Sequence, residues 1–95
     1  MESVIRTYTG PGAKALTQRI GERRTDVEAV IRAVPGLVSY AFIETAEGGM
    51  SVTVCQDKAG IDESVRVARE WIGKNASDIE TGAPTVTEGT AVVRI

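Results

Sequence analysis

Histidine is absent from this 95-residue chain, and cysteine and tryptophan occur once each. Without an imidazole, no side chain is suited to serve as base for a cysteine nucleophile, so papain-like chemistry is excluded. Metal binding loses its commonest nitrogen ligand, and the carboxylates show no clustered spacing that would replace it. A lone cysteine forms no intramolecular disulfide, whereas a secreted domain of this size usually needs several. An excess of basic charge is missing too: the net charge is −2 and the pI near 5.1. That balance speaks against a nucleic-acid binder. Lys14, Arg19, Arg23, Arg24 and Arg32 gather in the first half, but Glu22, Asp26 and Glu28 are interleaved with them. The mixture reads as a solvated helix face. No apolar run reaches the ~18–20 residues that a bilayer span requires. The opening MESVIRTYTG lacks the basic and apolar regions of a signal peptide. The expected setting is cytoplasmic, without membrane or nucleic acid.

What is present fits one domain over residues 1–95. SVIRTYT (3–9) is a β-branched and aromatic run stopped by Gly10-Pro11-Gly12, a strand and a turn. Ala13, Leu16, Ile20, Val27, Ile31 and Val34 form a helical stripe that lapses over GERRTD. The capping-box spacing of Thr25 and Glu28 suits a second helix from residue 25, and Gly21 suits a kink. Either one kinked helix or two in series is expected. LVSYAFIET (37–45) and MSVTVCQD (50–57) alternate about Ala46-Glu47-Gly48-Gly49, as in an antiparallel hairpin. Asp62 offers an N-cap for a helix over 63–75, with Val65, Ala68 and Ile72 as its buried stripe and Trp71 on the flank. After a polar connection, TAVVRI (90–95) is the expected last strand. The order β-α-β-β-α-β predicts an α+β, ferredoxin-like domain: a four-stranded antiparallel sheet with the helices on one face.

A hairpin loop of two or four residues fixes which side chains share a side of the sheet. Leu37, Ala41, Ile43, Val52 and Val54 fall on one face. Val38, Tyr40, Phe42, Thr53, Cys55 and Asp57 fall on the other. The aliphatic face suits the helices. The aromatic face is too apolar to leave in water, so Val38, Tyr40, Phe42, Thr53 and Cys55 are expected to meet a second copy, sheet against sheet. Cys55, pointing into such an interface, reads as an inert packing residue. A redox-sensing role would require it to be accessible and electropositive.

VIRTY, VPGLVSYAFIET and GGMSVTVCQDKAGIDES leading into AREWI together resemble the dimeric α/β-barrel superfamily, specifically small proteins like the antibiotic-biosynthesis monooxygenases. The likeness covers roughly residues 3–75. It implies a dimeric α/β barrel and a pocket between helices and sheet, in which oxygenases act without metal or flavin through an Asn, a Trp and a His. By that resemblance Trp71 matches the family's Trp. Asn75 lies one turn further on and is not assigned the Asn role, and the His is missing, which argues against haem degradation. Arg6, Tyr8 and Tyr40 are strand residues within reach of an anionic or phenolic ligand, or of cross-sheet partners. Asp57, with Lys58 and Asp62, reads either as a solvated capping turn or as a proton acceptor at a pocket mouth. The expected ligand-binding residues are thus Trp71, Arg6, Tyr8 and Asp57, with no cofactor and no metal. The expected function is a homodimer that binds a small aromatic molecule, as a cofactor-independent monooxygenase or isomerase. The alternative is a non-catalytic dimeric assembly module.

Overall fold

A computed structural model describes residues 1–95. The elements are β1 (Glu2–Tyr8), α1 (Ala13–Glu22), α2 (Arg24–Arg32), β2 (Leu37–Thr45), β3 (Gly48–Cys55), α3 (Lys58–Asn75) and β4 (Thr85–Thr90). The strands form one antiparallel sheet in the order β2-β3-β1-β4, with helices over one face. This is the ferredoxin-like architecture expected from the element order.

The region 13–34 is two helices in series, broken at Arg23, whose φ of −111° and ψ of 27° leave the helical range. No side chain caps α2, so Thr25 does not act as its N-cap. Arg23 instead pairs with Asp26 (Nε to Oδ2 2.8 Å), in the first turn where a carboxylate suits the helix dipole. α3 starts five residues earlier than expected. Its N-cap is Asp57, whose Oδ1 accepts from the Gly60 N–H at 3.0 Å. Asp62 lies inside the helix and receives Lys58 Nζ at 2.6 Å. Gly60 lets the first turn press onto β3: a Cβ there would stand 2.8 Å from the Pro35 carbonyl oxygen and 2.9 Å from Cys55 Cβ.

The last strand is TVTEGT, not TAVVRI. Residues 85–90 pair with β1, and the ladder ends where the Ala91 N–H donates to the Met1 carbonyl at 2.8 Å. Val92, Val93 and Ile95 have no strand beside them and are exposed. Available pairing, not β propensity, sets the strand.

The hairpin turns through Ala46 and Glu47, with Thr45 opposite Gly48, an even loop. Tyr40 pairs with Thr53 and Phe42 with Ser51, so the expected grouping holds from Ser39 onward. The side is inverted, however. Tyr40, Phe42, Thr53 and Cys55 point at the helices rather than away from them. Phe42 packs on a core of Tyr8, Ala13, Leu16, Ile20, Trp71 and Ala76, while Cys55 packs with Val4, Val34 and Ile61. A bulge between Leu37 and Ser39 swings Leu37 to the Cys55 side and leaves Val38 half-buried at the irregularity. Both hairpin faces are apolar, so hydropathy there does not say which is inner. β1 decides it, because Val4, Arg6 and Tyr8 are buried while Ser3, Ile5 and Thr7 are less so. The outer face carries Ile5, Ala41, Ile43, Met50, Val52 and Val54 among hydroxyl residues. No helix is long and apolar enough to cross a membrane.

Candidate functional site

Arg6 is the anomaly of the inner face. It sits mid-strand on β1, opposite Ser51 of β3 and Val86 of β4, and is only 5% exposed. Its Nε is fully buried and meets no hydrogen-bond acceptor of the protein. None of the ion pairs in the structure includes Arg6. Its only specific partner is the Tyr8 ring, two residues along the same face, whose centroid lies 5.6 Å from the guanidinium carbon. A cation over a ring at that distance contributes roughly 0.5–2 kcal/mol. Burying a polar group without a hydrogen bond costs about 1–3 kcal/mol by mutational measures. The strand therefore holds a poorly compensated charge.

Two spaces adjoin that charge. Inward, a void of about 30 Å³ lies between Arg6, Trp71, Tyr40, Phe42, Ser51 and the inner sides of α1 and α2. It has room for about one water. Outward, a cleft of about 460 Å³ opens between β1, α3 and the 81–84 segment. Arg6, Tyr8 and Val86 form its floor, Val65, Arg69, Ile72 and Gly73 one wall, and Thr81, Gly82, Ala83 and Pro84 the other. A second open cleft of about 480 Å³ lies on the far side, where Tyr40, Ala41, Phe42 and Glu44 of β2 face Thr17, Gln18, Arg24 and Glu28 of α1 and α2.

The phenols respond to this setting. Burial pushes the Tyr8 hydroxyl up from its ordinary value, and the Arg6 charge pulls part of that back. Burial pushes Tyr40 up to about 12, the proximity of Tyr8 adds to the rise, and Arg6 opposes it. Both stay protonated at neutral pH and donate rather than accept protons.

The structure brings together some of the expected residues. Arg6 and Tyr8 share the outer cleft. Trp71 shares only the small void with Arg6 and is itself core, 7% exposed. Asp57 joins neither space. It lies in a shallow hollow with Pro35, Gly36, Gln56 and Glu63, where it caps α3. Asn75 is occupied at the end of α3: its Nδ2 donates to the Trp71 carbonyl at 3.0 Å, and its own carbonyl accepts from Arg19 at 2.7 Å. Cys55 is fully buried, and burial, followed by the Asp57 charge, pushes its thiol up.

The sequence reading missed Arg69. Its signal was spacing, since Val65, Arg69 and Ile72 follow i, i+4, i+7 and share one flank of α3. The 81–84 wall gave no pattern to read.

No family model matches the chain, and neither does any curated protein. Solved structures do match in fold. A protein of unknown function from Nitrosomonas europaea superposes with a TM-score of 0.71 at 13% identity, covering 99% of this chain and 90% of that one. A monooxygenase from the ActVA-Orf6 gene of Streptomyces coelicolor, in complex with the ligand Nanaomycin D, gives 0.65 at 17% identity, covering 99% and 88%. A dimeric ferredoxin-like protein from an uncultured marine organism gives 0.66 at 13% identity, covering 99% and 94%. These identities speak for fold and not for activity. Over its whole length the chain has the ferredoxin-like fold, shared with a dimeric ferredoxin-like protein and with the Streptomyces coelicolor monooxygenase.

Proposed function

We propose that the protein binds a small, partly aromatic molecule in the cleft between β1, α3 and residues 81–84, and that it works as a homodimer packed sheet to sheet. The observation that carries the reading is the cleft of about 460 Å³ itself: Val65, Ile72, Pro84, Val86 and the Tyr8 ring wall it, and a few polar groups converge there. That size and lining are what small-molecule sites share. Cofactor-independent oxygenation or isomerisation is the reaction class that accompanies the reading, by likeness of fold to a cofactor-independent oxygenase from Streptomyces nogalater. No carboxylate lines the cleft. Its walls supply shape and positive charge but no side-chain carboxylate to accept a proton. Support for the dimer comes from the outer sheet face, where Ile5, Ala41, Ile43, Met50 and Val52 form an aliphatic strip and Ile43 is 43% exposed.

A second reading, a non-catalytic assembly module, is favoured by the tight packing around Trp71, where only about 30 Å³ is free. Trp71 is the only tryptophan, and Ile72, which lines the cleft, packs on the core that contains it, so its emission separates the two. Saturable quenching by 1,4-naphthoquinone at sub-millimolar concentration is expected. It should disappear in Gly73→Phe, because an added Cβ at 73 meets nothing within 4 Å and the ring can fill the cleft. No saturable change in the wild-type protein would favour the assembly module.

A further inference from the structure

We infer that the cleft is specific for an aromatic oxyanion, a carboxylate or an ionised enol, whose charge is received by Arg6 from the floor and Arg69 from the wall. The inference rests on the ligand-binding reading above and adds the chemical class of the ligand.

Two independent observations carry it. The first is Arg6, a residue only 5% exposed, whose Nε is fully buried and unpartnered and whose side chain borders the cleft. A buried guanidinium without a counter-ion is stabilised only when an anion is brought to it, and its planar fork matches the two oxygens of a carboxylate. The second is Arg69. Every other basic residue of α3 is paired: Lys58 with Asp62 and Glu88, Arg66 with Glu63 and Glu70, Lys74 with Glu70. Arg69 has no such partner and lines the same cleft. The lining thus holds two cations and no anion, in a protein whose net charge is −2. Positive charge focused in a concave, low-dielectric cleft draws an anion in and rejects a neutral isostere for want of its charge. The Tyr8 ring beneath and the Ile72 and Val86 side chains provide the apolar contact for a flat ring system.

The test uses two matched pairs of probes, titrated calorimetrically at low and moderate salt. The pairs are 2-naphthoate with 2-naphthamide, and 2-hydroxy-1,4-naphthoquinone (ionised at neutral pH) with 1,4-naphthoquinone. Charge-assisted hydrogen bonds imply a preference for the anion of roughly tenfold or more. That preference should weaken as salt rises, fall in Arg69→Gln and vanish in Arg6→Met. Preference in the first pair identifies a carboxylate, and in the second an enolate. Equal binding of the members of both pairs overturns the oxyanion inference and leaves the cleft as a neutral aromatic site. A preference that survives both substitutions overturns the assignment to Arg6 and Arg69. If no probe binds, the ligand-binding reading falls, and this inference with it.

Discussion

Replacing Arg6 by Met in the ligand-free protein should make it more stable, although a large buried side chain is being truncated. Arg6 is 5% exposed and its Nε lacks an acceptor. An unsatisfied buried polar group costs about 1–3 kcal/mol and more where it belongs to a charged group, so the upper part of that range applies to the Arg6 Nε. Against this stands the contact with the Tyr8 ring at 5.6 Å, which contributes roughly 0.5–2 kcal/mol. Methionine keeps most of the alkyl stem, and the adjoining cleft leaves no sealed cavity, so the packing loss should stay under about 1 kcal/mol. The desolvation term is the largest, and the net expectation is a gain of about 1 kcal/mol. For a domain of this size that raises Tm by roughly 4–8 °C. Urea unfolding at fixed protein concentration measures it, with the slope unchanged and the oligomeric state checked by light scattering. Arg6→Lys, which keeps the charge and loses the fork, should show no gain. A loss of more than about 1 kcal/mol in Arg6→Met, with the slope unchanged, would mean that the protein already compensates this charge, and the reasoning would be wrong.

Two further outcomes follow from Tyr40 and Cys55 on the inner face. Tyr40 titrates at about 12 when folded, against 10.0 ordinarily. The unfolded chain therefore loses that proton first, so stability is intact below pH 10 and falls as pH rises from 10 through 12. Phenolate absorbance of the native protein that develops fully near pH 10 would contradict this. Cys55, fully buried and with its thiol pushed up, should react with a disulfide reagent at neutral pH only as fast as the fold opens. Stoichiometric labelling within seconds under native conditions would show that it is accessible after all.

The architecture was legible because local signals agreed with one another. Gly10-Pro11-Gly12 and Pro35-Gly36 punctuate the chain where the structure turns, and the even hairpin loop carried the pairing of Tyr40 with Thr53. Three things were not legible, each for a physical reason. Which hairpin face is inner depends on β1 and the helices, since both faces are apolar. The start of α3 at Lys58 was hidden because Gly60 reads as a turn residue, whereas its role is to permit close approach to Pro35 and Cys55. The last strand was misplaced because Val92 and Val93 have high β propensity but no neighbouring strand, while TVTEGT lies beside β1. At the site, Arg6 and Tyr8 were visible as alternating strand residues. Arg69 and the 81–84 wall became apparent only when α3 and the connection to β4 were placed around them.

The connection that leads into that wall is tied down just before it. Arg19 reaches from α1 to hold both carboxylate oxygens of Asp78, at 2.9 and 2.8 Å, together with the Asn75 carbonyl. Ile79 packs on the core beside Ala76. The left-handed Gly12 passes so close to the Glu80 carbonyl that a Cβ there would collide with its oxygen. A loop fastened at three successive residues has already given up much of its conformational entropy before any guest arrives. A ligand entering between α3 and residues 81–84 would then have little left to order, so most of its contact energy would appear as affinity. Loosening a residue as remote as Arg19 should weaken binding without touching a single group in the cleft.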